Sequence, residues 1–352
     1  MEALPLNAHQ RPTKSIRHFP TGKLPQAVLA RLLDRYGRSG ERVLVGPRIG
    51  EDCAVIDFGD TYLVAKTDPI TFATEEIGWY AVHINANDLA AMGAHPKWFL
   101  VTILLPEGVD ESSVEQIFAS LHRAASELDI ALCGGHTEIT HGLDRPLLVG
   151  QMLGEVPKDR LIQSSGARIG DAILLTKGLA IEATAIIARE KAHQLRGQYD
   201  EAFIEQCARY LYDPGISVLR EAQIACEVGS VHAMHDPTEG GVATGLRELA
   251  LASRVGMEIF REGLFLSDES RLLCDAFGLD PLGVISSGAL LIVVASEDTH
   301  RVRNAIRGAG TRCEWIGTIT ETAYGVCIRG DGGSKPLSIF ERDEIARLFE
   351  EE

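Results

Sequence analysis

The sequence predicts an α+β protein of two domains, and three observations carry that expectation. The chain has 352 residues, against roughly 150 for a typical domain. Strand-like and helix-like segments are interleaved in both halves, and a stretch poor in apolar periodicity separates the halves. Residues 61–67, 98–105 and 146–153 read as strands, with β-branched alternation ended by Pro, Asp or Gly. Between the last two, Val114, Ile117, Phe118, Leu121, Ala125 and Leu128 recur at helical spacing, with Ser112 and Glu115 as a capping box. A second helix is expected over 77–92, stopped by Gly93 and Pro96. Residues 154–170 read as a linker rich in turn formers. Beyond it, strands are expected at 171–176, 287–295 and 313–320, and helices at 181–191, 216–228 and 242–252.

The resulting layout is a tail or lid at 1–22, a first domain at 23–155, a linker at 156–170, a second domain at 171–340 and a charged helix at 341–352. In that last helix Ile345 and Leu348 dock and the acidic end faces solvent.

Composition excludes several classes. Apolar residues at 45% and charged residues at 24% are ordinary globular values. The apolar runs fall far short of the roughly 20 residues that span a bilayer. Arg11, Lys14, Arg17 and Lys23 have no apolar stretch beside them, which is not a secretory pattern. A net charge of −16 repels a nucleic-acid backbone, and 6% aromatics provide few stacking platforms. Seven dispersed cysteines, with no C-x-x-C pair, suggest reduced thiols and a cytoplasmic protein.

Five segments pair glycine with acidic or amide side chains. Glycine admits backbone N–H groups close to a phosphate, a helix N-terminus adds partial positive charge, and carboxylates are hard oxygen ligands for Mg²⁺. Gly46-Pro47-Arg48-Ile49-Gly50-Glu51-Asp52-Cys53 sets two acids before an apolar strand, as a tight turn with solvated acids also would. In Lys66-Thr67-Asp68-Pro69 a strand delivers Asp68 to its end, where proline stops it; an ordinary turn has the same letters. Asn85 and Asp88 share a helix face inside an apolar stripe, a costly place for a carboxylate unless a cation or donor meets it. Cys133-Gly134-Gly135-His136-Thr137-Glu138 suits a phosphate or a β-turn. His235-Asp236-Pro237-Thr238-Glu239-Gly240-Gly241 runs into a helix, as an anion site or a plain cap.

In this order, Glu51 to Val55, Thr67-Asp68, Asn85 to Ala94, Gly134 to Glu138 and Asp236 to Gly241 resemble the motifs of the aminoimidazole ribonucleotide synthetase superfamily. That superfamily includes selenophosphate synthetase, thiamine-monophosphate kinase and the hydrogenase-maturation carbamoyl dehydratase, and the resemblance spans residues 24–328. It implies a PurM-like fold, with an N-terminal ATP-binding domain pairing in a dimeric sheet or barrel and a C-terminal α/β sandwich. It also implies ATP and Mg²⁺ as cofactors, a homodimer, and a small-molecule or protein-borne acceptor. Carried over by position, Asp52, Asp68 and Asp88 are the metal or phosphate-linked acids. Asn85, Gly134, Gly135, Thr137 and Glu138 belong to the nucleotide site. Asp236, Thr238, Glu239, Gly240 and Gly241 line the acceptor side, with Asp88, Asp236 and Glu239 as the catalytic acids.

The second-domain motif is nearest the hydrogenase-maturation branch, with Glu239 where a basic residue is usual. That branch carries its substrate group on a C-terminal cysteine, whereas this sequence ends in Leu348-Phe349-Glu350-Glu351-Glu352 and its last cysteine is Cys327. Cys53 has no following lysine, unlike the selenophosphate type. Asn85-x-x-Asp88 matches the kinase type, although His136 stands where it has aspartate. The implied chemistry is ATP-dependent phosphoryl transfer to, or activation of, an oxygen of a small molecule or amide. The alternatives are a thiamine-monophosphate-kinase-like phosphotransferase and a non-catalytic ATP-binding maturation partner. The decisive expectation is that Asp52, Asp68 and Asp88 converge.

Overall fold

A computed structural model describes residues 19, 23–38, 40–47 and 53–349. The 1–22 lid apart from Phe19, the acids Glu51 and Asp52, and the acidic end at 350–352 lie outside the described residues.

The first sheet contains β1 (Val43–Val45), β2 (Ala54–Asp57), β3 (Thr61–Ile70), β4 (His95–Leu105), β5 (Ala131–Ile139) and β6 (Leu147–Pro157). The second contains β7 (Ala172–Thr176), β8 (Val231–His235), β9 (Gly256–Phe260), β10 (Leu291–Val294), β11 (Cys313–Thr320), β12 (Val326–Gly330) and β13 (Gly333–Pro336). The helices are α1 (Gln26–Tyr36), α2 (Ile77–Ala91), α3 (Glu111–Glu127), α4 (Ile181–Glu190), α5 (Ala192–Leu195), α6 (Glu201–Ala208), α7 (Leu219–Val228), α8 (Gly241–Ser253), α9 (Asp268–Phe277) and α10 (Thr299–Gly308).

The first sheet has the order β1-β2-β3-β6-β4-β5, antiparallel except for the β4–β5 pair. Alternation puts Phe99, Val101, Ile103 and Leu105 of β4 and Leu148, Met152 and Val156 of β6 into the core. α2 packs against that sheet, α3 and the second domain. Every residue of α2 is buried, so its polar side chains must find partners inside the protein. The second sheet has the order β13-β12-β9-β11-β7-β10-β8.

Several boundaries differ from expectation. β3 does not stop before Pro69: Asp68 pairs with Gly150 and Pro69 with Val149, so the strand continues to Ile70. α3 is capped by Asp110, whose carboxylate accepts from the Ser113 amide at 2.9 Å, rather than by the Ser112–Glu115 box. The segment from Cys133 to Glu138 is no loop but part of β5, an edge strand exposed along its whole length. β6 extends to Pro157, into the stretch expected as linker. The 341–352 region forms a 3-10 turn over Glu344–Phe349 with Ile345 fully buried. Phe349 then stacks on Phe72 at 5.9 Å and ties the described end of the chain back to the first domain.

Candidate functional site

The site begins on β3. Lys66 and Asp68, two apart on a strand, project to one face. The Lys66 ammonium lies 3.1 Å from Asp88 Oδ1 on α2 and 3.7 Å from Asp68 Oδ2. Asp88 is almost fully buried and Asp68 is one-third exposed. Asn85 locks the two elements together. Its Oδ1 accepts from the Asp68 amide at 3.0 Å, and its Nδ2 donates to the Asp68 carbonyl at 3.3 Å and to the Ala81 carbonyl at 2.9 Å. Gly150, opposite Asp68 on β6, permits this approach, because a β-carbon there would strike the Asn85 amide and the Phe99 ring.

The second domain meets this cluster through the turn between β8 and α8. Asp236 is 1% exposed. Gly240 and Gly241 turn the chain at φ +80° and +64°, and at Gly241 a β-carbon would press on the Leu282 and Val284 carbonyls. Asp343 holds the turn, accepting from the Gly240 amide at 2.6 Å and the Ile345 amide at 2.8 Å. Thr238 contributes its carbonyl to the Gly241 amide at 3.0 Å. His235 Nε2 lies 2.9 Å from Glu248. Glu239 is half-buried. Burial raises its pKa, Lys23 lowers it, and Asp68 and Glu248 raise it further, so the Asp68 and Glu239 charges feel each other across the domain boundary.

Two more acids lie behind Glu239. Glu182, in the first turn of α4, is pushed up to about 8, mainly by burial and then by Asp343 and Glu239, with Ser287 opposing the rise. Asp343 is pushed up to about 7, burial outweighing the amides it accepts from.

The structure thus brings Asn85, Asp68 and Asp88 together, and the Asp68 charge acts on Glu239 of the second-domain turn. It does not bring Gly134, Gly135, Thr137 and Glu138 to that cluster within one chain. Asp68 lies opposite Gly150, Gly150 opposite Val101, and Val101 opposite Gly135. Three strand spacings of about 4.8 Å separate Gly135 from Asp68, roughly 14 Å. Instead, Gly135 lets β5 press on β4, since a β-carbon there would overlap the Val101 carbonyl, whereas a β-carbon on Gly134 would meet nothing. His136 and Glu138 pair with each other at 3.2 Å on the exposed edge.

Sequence reasoning missed Lys66, Asn87, Gly150, Lys177, Glu182 and Asp343. Lys66, two residues before Asp68, was readable from strand period alone. The others are set by tertiary contacts. Asn87 donates to the Ile216 carbonyl at 2.7 Å and accepts from the Val218 amide at 2.9 Å. From the other side Lys177 donates to the carbonyls of Gly215 and Ser217 and pairs with Glu221.

Magnesium keeps several waters and takes one or two carboxylates plus phosphate oxygens. Asp68 and Asp88 fit that demand, with Lys66 as the cation already between them. No group of three or more potential metal ligands occurs among the described residues, so an all-protein metal cage is not what they build.

Two α+β domains carry acids on both sides of their boundary. The chain belongs to the AIR synthase related protein family, whose N-terminal domain matches residues 50–156 and whose C-terminal domain matches residues 168–329. It is 30% identical over 307 residues to a protein of Methanocaldococcus jannaschii named for hydrogenase expression and formation, covering 85% of this chain and 88% of that one. It is also 30% identical over 257 residues to the carbamoyl dehydratase HypE of Cupriavidus necator, covering 72% and 70%. Among solved structures, the hydrogenase maturation protein HypE in complex with ATP superposes with a TM-score of 0.68 at 24% identity, covering 88% of this chain and 90% of that one. The PurM-like two-domain fold expected from the motifs is therefore borne out. No helix among the described residues is long and apolar enough to cross a membrane.

Proposed function

We propose that this chain is an ATP- and magnesium-dependent enzyme that activates an oxygen of an amide or small molecule by phosphoryl transfer, in the manner of the carbamoyl dehydratases it resembles. One observation carries the reading: Asp68 and Asp88 share Lys66 on the first domain, and the Asp68 charge acts on Glu239 of the second. Asp68 and Asp88 would hold the magnesium, which would neutralise the charge of the phosphate oxygens. Lys66 remains beside them as a donor to the same oxygens. Asn85 fixes the Asp68 backbone, so the carboxylate is aimed before the nucleotide arrives, and such preorganisation is what phosphoryl transfer demands of a protein. The Gly240–Gly241 turn, braced by Asp343, offers a backbone surface on the acceptor side. Glu239 would take up the proton leaving the acceptor.

β5 supports a homodimer within the same reading. An edge strand of nine exposed residues, with Leu132 and Ile139 in the open, is a template for pairing with a second copy.

Titration calorimetry with Mg-ATP tests the nucleotide reading. Wild type should bind, and Asp68→Asn should lose most of the magnesium-dependent part. Absence of heat at millimolar nucleotide removes the proposal. Sedimentation of Gly135→Val, which disturbs β5, tests the dimer, and an unchanged mass counts against pairing through that strand.

A further inference from the structure

Residues 215–218 lead into α7, and side chains of both domains grip them. From the first domain, Asn87 donates to the Ile216 carbonyl at 2.7 Å and accepts from the Val218 amide at 2.9 Å. From the second, the Lys177 ammonium donates to the Gly215 carbonyl at 2.9 Å and to the Ser217 carbonyl. Successive carbonyls therefore face alternate partners, those of Gly215 and Ser217 turning to Lys177 and that of Ile216 to Asn87. Among the described residues no backbone amide donates to any of the three.

Lys177 directly follows β7 and is 7% exposed. Its third contact is Glu221 Oε1 at 3.3 Å, and the same oxygen accepts from the Thr311 hydroxyl at 3.2 Å. Glu221 is also buried. An ammonium has three donors and no acceptor, and three oxygens meet it here. A neutral amine would turn its lone pair on one of those oxygens, so the set of contacts requires the charged form. Carbonyl oxygens that replace the hydration shell of an ion are how proteins hold a monovalent cation. Two carbonyls and a carboxylate around one positive charge have that chemistry.

We propose that the Lys177 ammonium serves the domain joint as a tethered cation, holding residues 215–218 in the register that Asn87 reads, and that a chain without this side chain takes a primary alkylammonium ion into the same three-oxygen cage. A buried carbonyl left without a donor is costly, and among the described residues no other side chain donates to Gly215 or Ser217. Asn87 keeps both of its bonds only while Ile216 and Val218 hold their places. Lys177 thus acts on α2 through Asn87, the neighbour of Asp88 in sequence, which makes it a positioning residue. The proposal stands or falls independently of the nucleotide reading.

Three variants of the full chain test it by urea unfolding and by hydrogen exchange at the Val218 amide. Lys177→Met keeps an aliphatic stem and drops the charge. It should lower the folded-to-unfolded ratio by about a hundredfold or more and speed exchange at Val218 more than in β10. Wild-type behaviour overturns the proposal, because packing by the stem would then suffice. Combining Lys177→Met with Glu221→Gln removes both charges of the pair. Exchange at Val218 should stay fast, since the two carbonyls still lack a donor; a return to the wild-type rate means that Lys177 serves Glu221 alone, and overturns the proposal. Lys177→Gly opens the cage, and the left-handed backbone at φ +55° accepts glycine. With wild type and Lys177→Met as baselines, its folded-to-unfolded ratio should be at least about fivefold higher in n-butylammonium chloride than in tetramethylammonium chloride at equal ionic strength. The same behaviour in the two salts, folded or unfolded, overturns the proposal.

Discussion

Glu182→Gln should change how stability depends on pH, with a sign fixed by the direction of the shift. The carboxyl is 2% exposed and its pKa rises from 4.5 to about 8. In the unfolded chain it ionises near 4.5; in the folded protein it keeps its proton up to about 8. The stability it contributes is fully present below the unfolded value and is lost as pH rises through the folded one. At about 1.4 kcal/mol per pKa unit, the ceiling on that loss is roughly 5 kcal/mol. Rearrangement and water entry on ionisation should reduce it to about 2 kcal/mol. Glutamine keeps an acceptor for the Ser287 amide and has nothing to titrate. Urea unfolding at pH 5, 6, 7 and 8 should therefore show wild-type stability falling with pH and a shallower slope in the variant. The slope that remains belongs to other groups, Asp343 among them, whose pKa rises from 3.8 to about 7. Parallel profiles for wild type and variant would refute the reasoning, since they mean that Glu182 does not carry a proton across that window.

Other substitutions probe the cluster and its scaffold. Asn87→Leu strands the Ile216 carbonyl and the Val218 amide and should cost about 3 kcal/mol in urea unfolding. Gly150→Ala drives a β-carbon into Asn85 and should cost about 2 kcal/mol while weakening Mg-ATP binding measured by calorimetry, because the Asp68 backbone loses its clamp. Lys66→Met takes the cation away from a nearly buried carboxylate and should destabilise by about 3 kcal/mol without nucleotide; addition of Mg-ATP should recover part of the loss in a thermal melt.

The fold was legible wherever period and burial coincide. β11 runs over the residues its alternation indicates, and α2 ends within a residue of Met92, ahead of the left-handed Gly93. Pro69 misled because it lacks only a donor, and a strand can carry it where that bond is not needed. The Gly134–Gly135 pair misled in the opposite way. Glycine suits a turn, yet here Gly135 lets one strand press on another, and no local signal distinguishes the two uses. Asn85 and Asp88 were legible because an apolar helix makes polar letters conspicuous. Asn87 stood in the same segment, and its partner lies 129 residues away, a separation no window can see. Asp343 is the extreme case, an acid in a charged terminal segment that the tertiary structure folds under Gly240.

α2 is where these threads meet, because its faces are committed to different tasks. Asn85 and Asp88 serve the strand that carries Asp68, and Asn87 holds the second domain two residues along. A rotation of the helix by one residue, about 100°, exchanges those faces. Movement of the second domain that pulls on Asn87 must therefore also turn Asp88 relative to Lys66. On the proposed function, a movement of the second domain upon ligand binding would therefore also turn the buried carboxylate, because both act through one rigid helix. Asn87→Asp exposes this coupling, since it keeps an acceptor for the Val218 amide but loses the donor to the Ile216 carbonyl. Calorimetry on that variant should show weaker Mg-ATP binding although no atom of the Lys66 cluster has been altered. Unchanged affinity in a variant shown to be destabilised would mean that the two faces of α2 work independently.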